Sequence, residues 1–221
     1  MATIITDLGA VTLPAWVNSL EAFRCWTDQN DFPEKGCAWW LCGEVWIDMS
    51  KEQIFAHVLV KTEFTAVVGG LVKSERRGLF LTDGLLLSNF AADVSGNPDG
   101  TFFRTETLRS DHVRLLEAVR GGFTVIQGSP DLVLEVVSDG SVHKDLKVLR
   151  KAYWEADIRE YWMVDARKDP VQFDILSHSA RGYVAVRKQD GWLKSALFGK
   201  AFQLRKIKNA LGYPEFYLNV R

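Results

Sequence analysis

Residues 129–165 read SPDLVLEVVSDGSVHKDLKVLRKAYWEADIREYWMVD, and the order of patterns within this stretch decides the fold. Residues 132–137 are apolar at every position except Glu135, a run suited to a strand buried on both faces. A charged carboxylate among Leu134, Val136 and Val137 is costly unless a cation, a metal or several hydrogen bonds receive it. Glu135 is therefore the residue on which a functional reading turns. Ser138, Asp139, Gly140 and Ser141 favour a turn, and a helix is expected from near Ser141 or Val142. Its Leu146, Leu149, Tyr153 and Ala156 recur at three and four, which makes one buried stripe. Lys144, Lys147 and Lys151 lie off that stripe, and their spacing predicts a cationic row on a neighbouring face. Residues 158–164 are strand-like again, so the whole is a βαβ unit or a crossover within a mixed sheet.

The remaining chain supports a globular reading. With 221 residues and 47% hydrophobic content it is long enough for one sizeable core, and a single domain over 1–221 is expected. That domain divides into an N-terminal arm and helix (1–37), a core (38–187) and C-terminal strands with a tail (188–221). A formal charge of −1 argues against wholesale attraction to nucleic acid, so phosphate recognition would need a local basic patch. Cys25, Cys37 and Cys42 are odd in number and lack a CxxC pair, which disfavours a disulfide framework or a closed zinc site. A reduced, cytoplasmic setting fits. No basic start precedes an apolar segment, and no run is expected to reach bilayer-spanning length.

Outward from the central stretch, residues 1–18 read as an extended arm broken by Pro14, and Ser19 as the cap of a helix burying Leu20, Phe23 and Trp26. Residues 28–36, with Pro33, read as a polar loop. Trp39, Trp40, Val45 and Trp46 flank Cys42-Gly43-Glu44 as a hairpin. Ser50 with Gln53 makes a capping-box pattern for the longest helix, expected to run to about Lys73 with Gly69-Gly70 as a weak point. His57 and Glu63 lie along it and are accessory site candidates. Residues 79–87 read as strand interrupted by Asp83-Gly84, and residues 113–126 as a hairpin across Gly121-Gly122. Phe102 and Phe103 continue a strand with Asp99 at its mouth. Residues 171–187 and 192–198 are strand-rich, and residues 201–221 read as a tail packed through Phe202, Leu204, Phe216 and Leu218. No Walker-type loop, GxGxxG or GxSxG is present.

Asp99 after a proline, Glu135 inside an apolar strand, and lysines at the start of the next helix converge on one chemistry. Two carboxylates from neighbouring strands suit Mg²⁺ or Mn²⁺, and such an ion lowers the pKa of bound water beside a phosphodiester while an ammonium group stabilises the transition state. At the level of motifs, SPDLVLEVVS followed by the basic helix and AYWEADIREYWMVD resembles the Uma-two family of endonucleases, within the PD-(D/E)xK restriction-endonuclease-like superfamily. MSKEQIFAHVLVKTEF and NPDG resemble the family's earlier regions, so the likeness covers roughly residues 38–187. It implies an α/β (α+β) fold, with a mixed central sheet flanked by helices and additional antiparallel strands. It also implies a metal-dependent nuclease acting on nucleic acid, DNA by preference, and a homodimer is expected because a two-fold pair of sites suits the cutting of two antiparallel strands. Carried onto this sequence, Asp99 is the PD acid and Glu135 the second acid, together the metal ligands. Asp131 of Pro130-Asp131 is an accessory candidate or a strand-start cap. The sequence departs from the pattern where a lysine is due: Val137 stands two residues after the acid, and Leu149 four residues before the helix tyrosine. Lys147 or Lys144 must then act. Arg76, Arg77, Arg150 and Lys151 complete a candidate phosphate-facing patch. Two other readings compete: an inert buried salt bridge from Glu135 to a helix lysine, and a degenerate nuclease fold serving as a DNA-binding or protein-interaction module.

Overall fold

The computed structural model describes residues 2–6, 9–29, 32, 37–48, 52–83, 85–117 and 121–221. Its strands are β1 (Ala2–Thr6), β2 (Gly9–Leu13), β3 (Cys37–Leu41), β4 (Glu44–Asp48), β5 (Gly78–Thr82), β6 (Leu86–Asn89), β7 (Val94–Gly96), β8 (Gly100–Arg104) and β9 (Arg114–Glu117). They continue as β10 (Phe123–Gln127), β11 (Leu132–Val136), β12 (Glu160–Asp165), β13 (Gln172–Ser179), β14 (Gly182–Ala185), β15 (Leu193–Lys194), β16 (Ala201–Lys208) and β17 (Pro214–Val220). The central sheet runs β14-β13-β12-β11-β8-β5, and β11 with β12 is its parallel pair. A second six-stranded sheet runs β4-β3-β7-β6-β10-β9, beside a β15-β16-β17 sheet and the β1-β2 hairpin.

Alternation along β11 explains how both faces of the central sheet are covered. Leu132, Leu134 and Val136 face a long helix, Ile54–Ser74, whose Val60, Phe64, Val68 and Val72 pack there with Trp162 and with Phe202 and Phe216 of the C-terminal strands. Val133 and Val137 face the opposite way, onto Leu149, Ala152 and Tyr153 of the helix spanning 144–155, which connects β11 to β12. Trp39, Leu41 and Val94 of the second sheet close this second core. The fold is thus a mixed sheet between helices, with antiparallel strands added at its margins, as the sequence implies.

Several local expectations need correction. The long helix is 21 residues long and apolar enough to cross a membrane by length and composition, contrary to the sequence reading. In this fold its apolar stripe lies on the central sheet instead. Gly69-Gly70 does not interrupt it, because the helix passes through this point between a π-type turn and an α-helical one. Residues 201–221 are no irregular tail but the β16-β17 hairpin, and only Leu193–Lys194 of 192–198 is strand. Backbone there is spent on Glu160, whose buried carboxylate accepts from Ala196 N (2.7 Å), Leu197 N (3.2 Å), Ser195 Oγ (2.7 Å) and Trp162 Nε1 (2.8 Å). The hairpin across Gly121-Gly122 forms, but β10 belongs to the second sheet. Ser19 caps the first helix through Ala22 N at 3.1 Å. Ser50, Pro33 and Gly84 lie outside the described residues.

Within the second sheet the packing is tight at Gly96, the last residue of β7, beside β3 that carries Trp39. A methyl group there would stand 1.9 Å from Cε3 of Trp39, so the indole packs flat against bare backbone. Gly96→Ala is expected to destabilise the protein by about 1–3 kcal/mol in urea unfolding, the usual cost of forcing a packed core apart. An unchanged midpoint would contradict this packing.

Candidate metal centre

Pairing of β8 with β11 places Leu134 opposite Gly100, so extending the register by one residue sets Glu135 opposite Asp99. Directly opposed residues project to the same side of an antiparallel pair. The chain turns at Asn97-Pro98, and Asn97 is anchored by donating to Leu85 O at 3.1 Å. Asp99 then accepts from Val136 N at 2.7 Å, tying the two acid-bearing segments together. Both acids line a cleft of about 250 Å³.

The two carboxyl groups are held in opposite states. Glu135 is 3% exposed, and burial pushes its pKa well above the carboxylate range. Asp99 adds to that shift, while the charge of Lys144 and the Tyr153 hydroxyl, which donates to Oε1 at 2.5 Å, oppose it. Burial acts on Asp99 in the same sense, but the His57 hydrogen bond and charge, the Lys61 charge and the Val136 N–H outweigh it and hold Asp99 below its ordinary value. Of this pair Glu135 is therefore the harder to ionise and Asp99 the easier.

Cations reach the cleft from both helical layers. On the long helix His57 and Lys61 are one turn apart, with His57 Nε2 3.5 Å from Asp99 Oδ2 and Lys61 Nζ 3.6 Å from Oδ1. Glu52 stands beyond them, 2.7 Å from Lys61 and 3.4 Å from His57 Nδ1, and Asp83 is 2.9 Å from Lys61. Burial alone would lower the pKa of both cations, yet Asp99 and its acidic neighbours raise them. On the opposite face Lys144 is 8% exposed, lies 3.0 Å from Asp145 Oδ1, and sits 4.3 Å from the centroid of the Trp39 ring. Burial disfavours its charge, but Glu135 and then Asp145 hold its pKa above the usual lysine value. Ser141 donates to the other oxygen of Asp145, and Tyr161 Oη donates to Asp145 O at 2.9 Å, which fixes this turn of the helix.

The expected lysine row does not form. Residues 144–148 are a π-type turn, and this wider winding separates Lys144, turned inward, from Lys147 and Lys151, which are exposed. Glu63 is also turned away, accepting from Leu218 N at 2.7 Å. Asp131 lies at the far end of the strand, about 13 Å from Glu135 at the rise of an extended chain. There it accepts from Arg104 N (2.9 Å) and Arg104 Nε (2.7 Å). The basic patch is dispersed. Arg76 and Arg77 follow the distal end of the long helix, where Arg77 pairs with Glu75; Arg150 donates to Tyr183 O, and Lys151 stands by Glu155. Lys61, Glu52 and Trp39 are contributors that the sequence reading missed. Lys61 carries a usable signal, since it follows His57 by four.

The donor set suits a hard or borderline dication. Glu52, His57 and Asp99 each offer a ligand atom within 4.8 Å of the others, and His57 Nδ1 is buried without a hydrogen-bond partner. Carboxylate oxygens serve Mg²⁺ or Mn²⁺, and the imidazole favours Mn²⁺ of the two.

Comparison with known proteins adds a family and a fold. The family model described as "Uma2: Putative restriction endonuclease" matches residues 20–205. No curated protein matches the chain. Among solved structures, a crystal structure from Anabaena variabilis ATCC 29413, described as "a putative nuclease belonging to DUF820", superposes with a TM-score of 0.53 at 15% identity. The alignment covers 82% of this chain and 90% of that one, so the two share a fold.

Opposed carboxyl states give a signed pH dependence. Glu135 binds its proton more tightly when folded than in the unfolded chain, near 4.3, so its contribution falls as pH rises above roughly that value. Asp99, held low, contributes above its unfolded value and loses that as pH falls. In chelator, Glu135→Gln is expected to melt above wild type at pH 8, with the gap narrowing towards pH 4. A gap that widens on acidification would contradict the assignment.

Proposed function

The chain belongs to the Uma2 family of restriction-endonuclease-like proteins, and from that premise we propose that it is a divalent-metal-dependent phosphodiesterase acting on nucleic acid. The observation that carries the reading is Asp99 and Glu135 facing each other across β8 and β11 with a buried ammonium group, that of Lys144, in the same cleft. Asp99 and Glu135 would hold Mg²⁺ or Mn²⁺, with His57 and Glu52 on the far side of Asp99 as further donors. Such an ion, when bound, supplies a water of lowered pKa and neutralises charge on the phosphoryl group.

Each residue then has a task set by its surroundings. Asp99 is ionised in advance, whereas Glu135 must release its proton, so ion uptake and proton release are linked. The Tyr153 hydroxyl keeps the Glu135 carboxyl oriented during that exchange. Lys144, clamped between the Trp39 ring and Asp145, directs positive charge at the phosphoryl oxygens as they become more negative. This is the role left open by Val137 and Leu149. Lys61 and His57 balance Asp99 and Glu52 whenever the cleft holds no ion.

One observation favours a second reading. Asp99 is already satisfied by Val136 N, His57 and Lys61, which is the arrangement a binding module without hydrolysis would keep. Oligonucleotide cleavage in Mg²⁺, Mn²⁺ or chelator separates the two. Metal-dependent cleavage is expected, weakened by added salt, and reduced by about 10²-fold or more in Glu135→Ala and in Lys144→Met. Retention of nucleic acid by wild type without cleavage in either metal would establish the binding module.

A further inference from the structure

The concave surface does not end at the metal centre. A second hollow of about 220 Å³ shares His57 and Ser138 with the cleft, and a third of about 440 Å³ shares Gln53, Ala56 and Arg167 with the second. Together they form one trough over the carboxyl ends of β11 and β12, the parallel pair, where sheets of this kind receive ligands. Its far wall is the turn of the C-terminal hairpin. There Tyr213 stacks on Phe55, with centroids 5.3 Å apart and planes 19° from parallel. Tyr213 is 52% exposed, so one side of a ring already braced from beneath is open to a ligand.

Charge beside this ring is positive and weakly compensated. Lys206 lines the trough, with Asp169 no nearer than 3.9 Å, and among the described residues Lys208 has no ion-pair partner. Arg167, midway along, is committed to Asp165 (2.7 Å) and Asp139 (3.0 Å), so it shapes the trough more than it charges it. A braced aromatic face with one loosely paired and one unpaired ammonium group alongside matches the bases and phosphates of an unpaired strand. An apolar protein surface would bury the ammonium groups unpaired, and a closed duplex offers no base face to stack.

Resting on the nuclease reading above, we propose that the substrate is an unpaired nucleic-acid strand that leaves the cleft along this trough and stacks a base on Tyr213. Tyr213 and β17 lie beyond the 20–205 stretch that the family model covers, so the trough's far end is contributed by chain outside the common family region.

Fluorescence anisotropy in chelator, with labelled single-stranded DNA, single-stranded RNA and a hairpin duplex of either sugar, tests this on the full chain. Single strands are expected to bind more tightly than duplexes. Tyr213→Ala should weaken that binding by about ten-fold or more, and Tyr213→Phe should restore it. Lys206→Glu combined with Lys208→Glu should flatten the salt dependence, while Phe123→Ala, an exposed aromatic on β10 of the other sheet, should bind as wild type. The DNA and RNA arms assign the sugar. Preference for duplex, or equal binding by wild type and Tyr213→Ala, overturns the proposal. So does Tyr213-dependent self-association in sedimentation without nucleic acid, which would assign the surface to a second copy of the chain. Cleavage by wild type with Tyr213→Ala unaffected would remove the trough alone, and Tyr213-dependent binding without any cleavage would remove hydrolysis alone.

Discussion

A carboxyl group in a strand with neighbours on both sides has almost nowhere to place a charge, and Glu135 in β11, between β8 and β12, is such a group. Only 3% of it is exposed, and the Tyr153 hydroxyl is one donor where an ionised carboxylate could use several. The surrounding architecture is arranged about that deficit. Asp99 directly opposite takes the ionised role, and Lys144 supplies compensating charge from the face that Glu135 enters. Two like acids driven apart in this way give one site that is ready for a cation and one that must exchange a proton for it.

Delivery of the cations depends on how the helices are bound to the sheet. The long helix presents Val60, Phe64, Val68 and Val72 to the core, and the same anchoring brings His57 and Lys61 of its first turns to the open end of β8. On the other face the π-type turn at 144–148 gives the connecting helix a local change of winding, which turns Lys144 inward while Leu149 and Tyr153 remain packed. Trp39 then ties the second sheet to this centre, since its indole, given room by Gly96 of the adjacent strand, packs in one core with Val133 and Tyr153 and carries the Lys144 ammonium.

Much of this is legible in the sequence because it follows from burial and local pattern. The apolar run around Glu135, the βαβ spacing and the Pro98-Asp99 turn specify where two strands present acids. What was not legible depends on residues distant in sequence. Lys61 looks like one polar position on an amphipathic helix, Glu52 like a solvated acid, and Trp39 like one indole among eight. The choice between Lys144 and Lys147 was hidden for a different reason, since ordinary helical periodicity does not foresee a π-type turn. Burial alone was also insufficient. Glu160 is as buried as Glu135 and opens an equally apolar strand, but four donors satisfy it, and it serves to dock the segment after β15. Only the count of donors distinguishes the structural acid from the chemical one.

The bond from Leu218 N to Glu63 has a consequence for how copies of this protein meet. β17 is the last strand of its sheet, and Arg221 and Ala201 exchange both backbone bonds, so by alternation the Leu218 N–H points away from β16 towards the open border. A carboxylate from the long helix stoppers that border at its middle. Zipper-like growth from one molecule's ribbon onto the next is thereby blocked where it would otherwise begin, and molecules that do associate on this side must do so through their side chains.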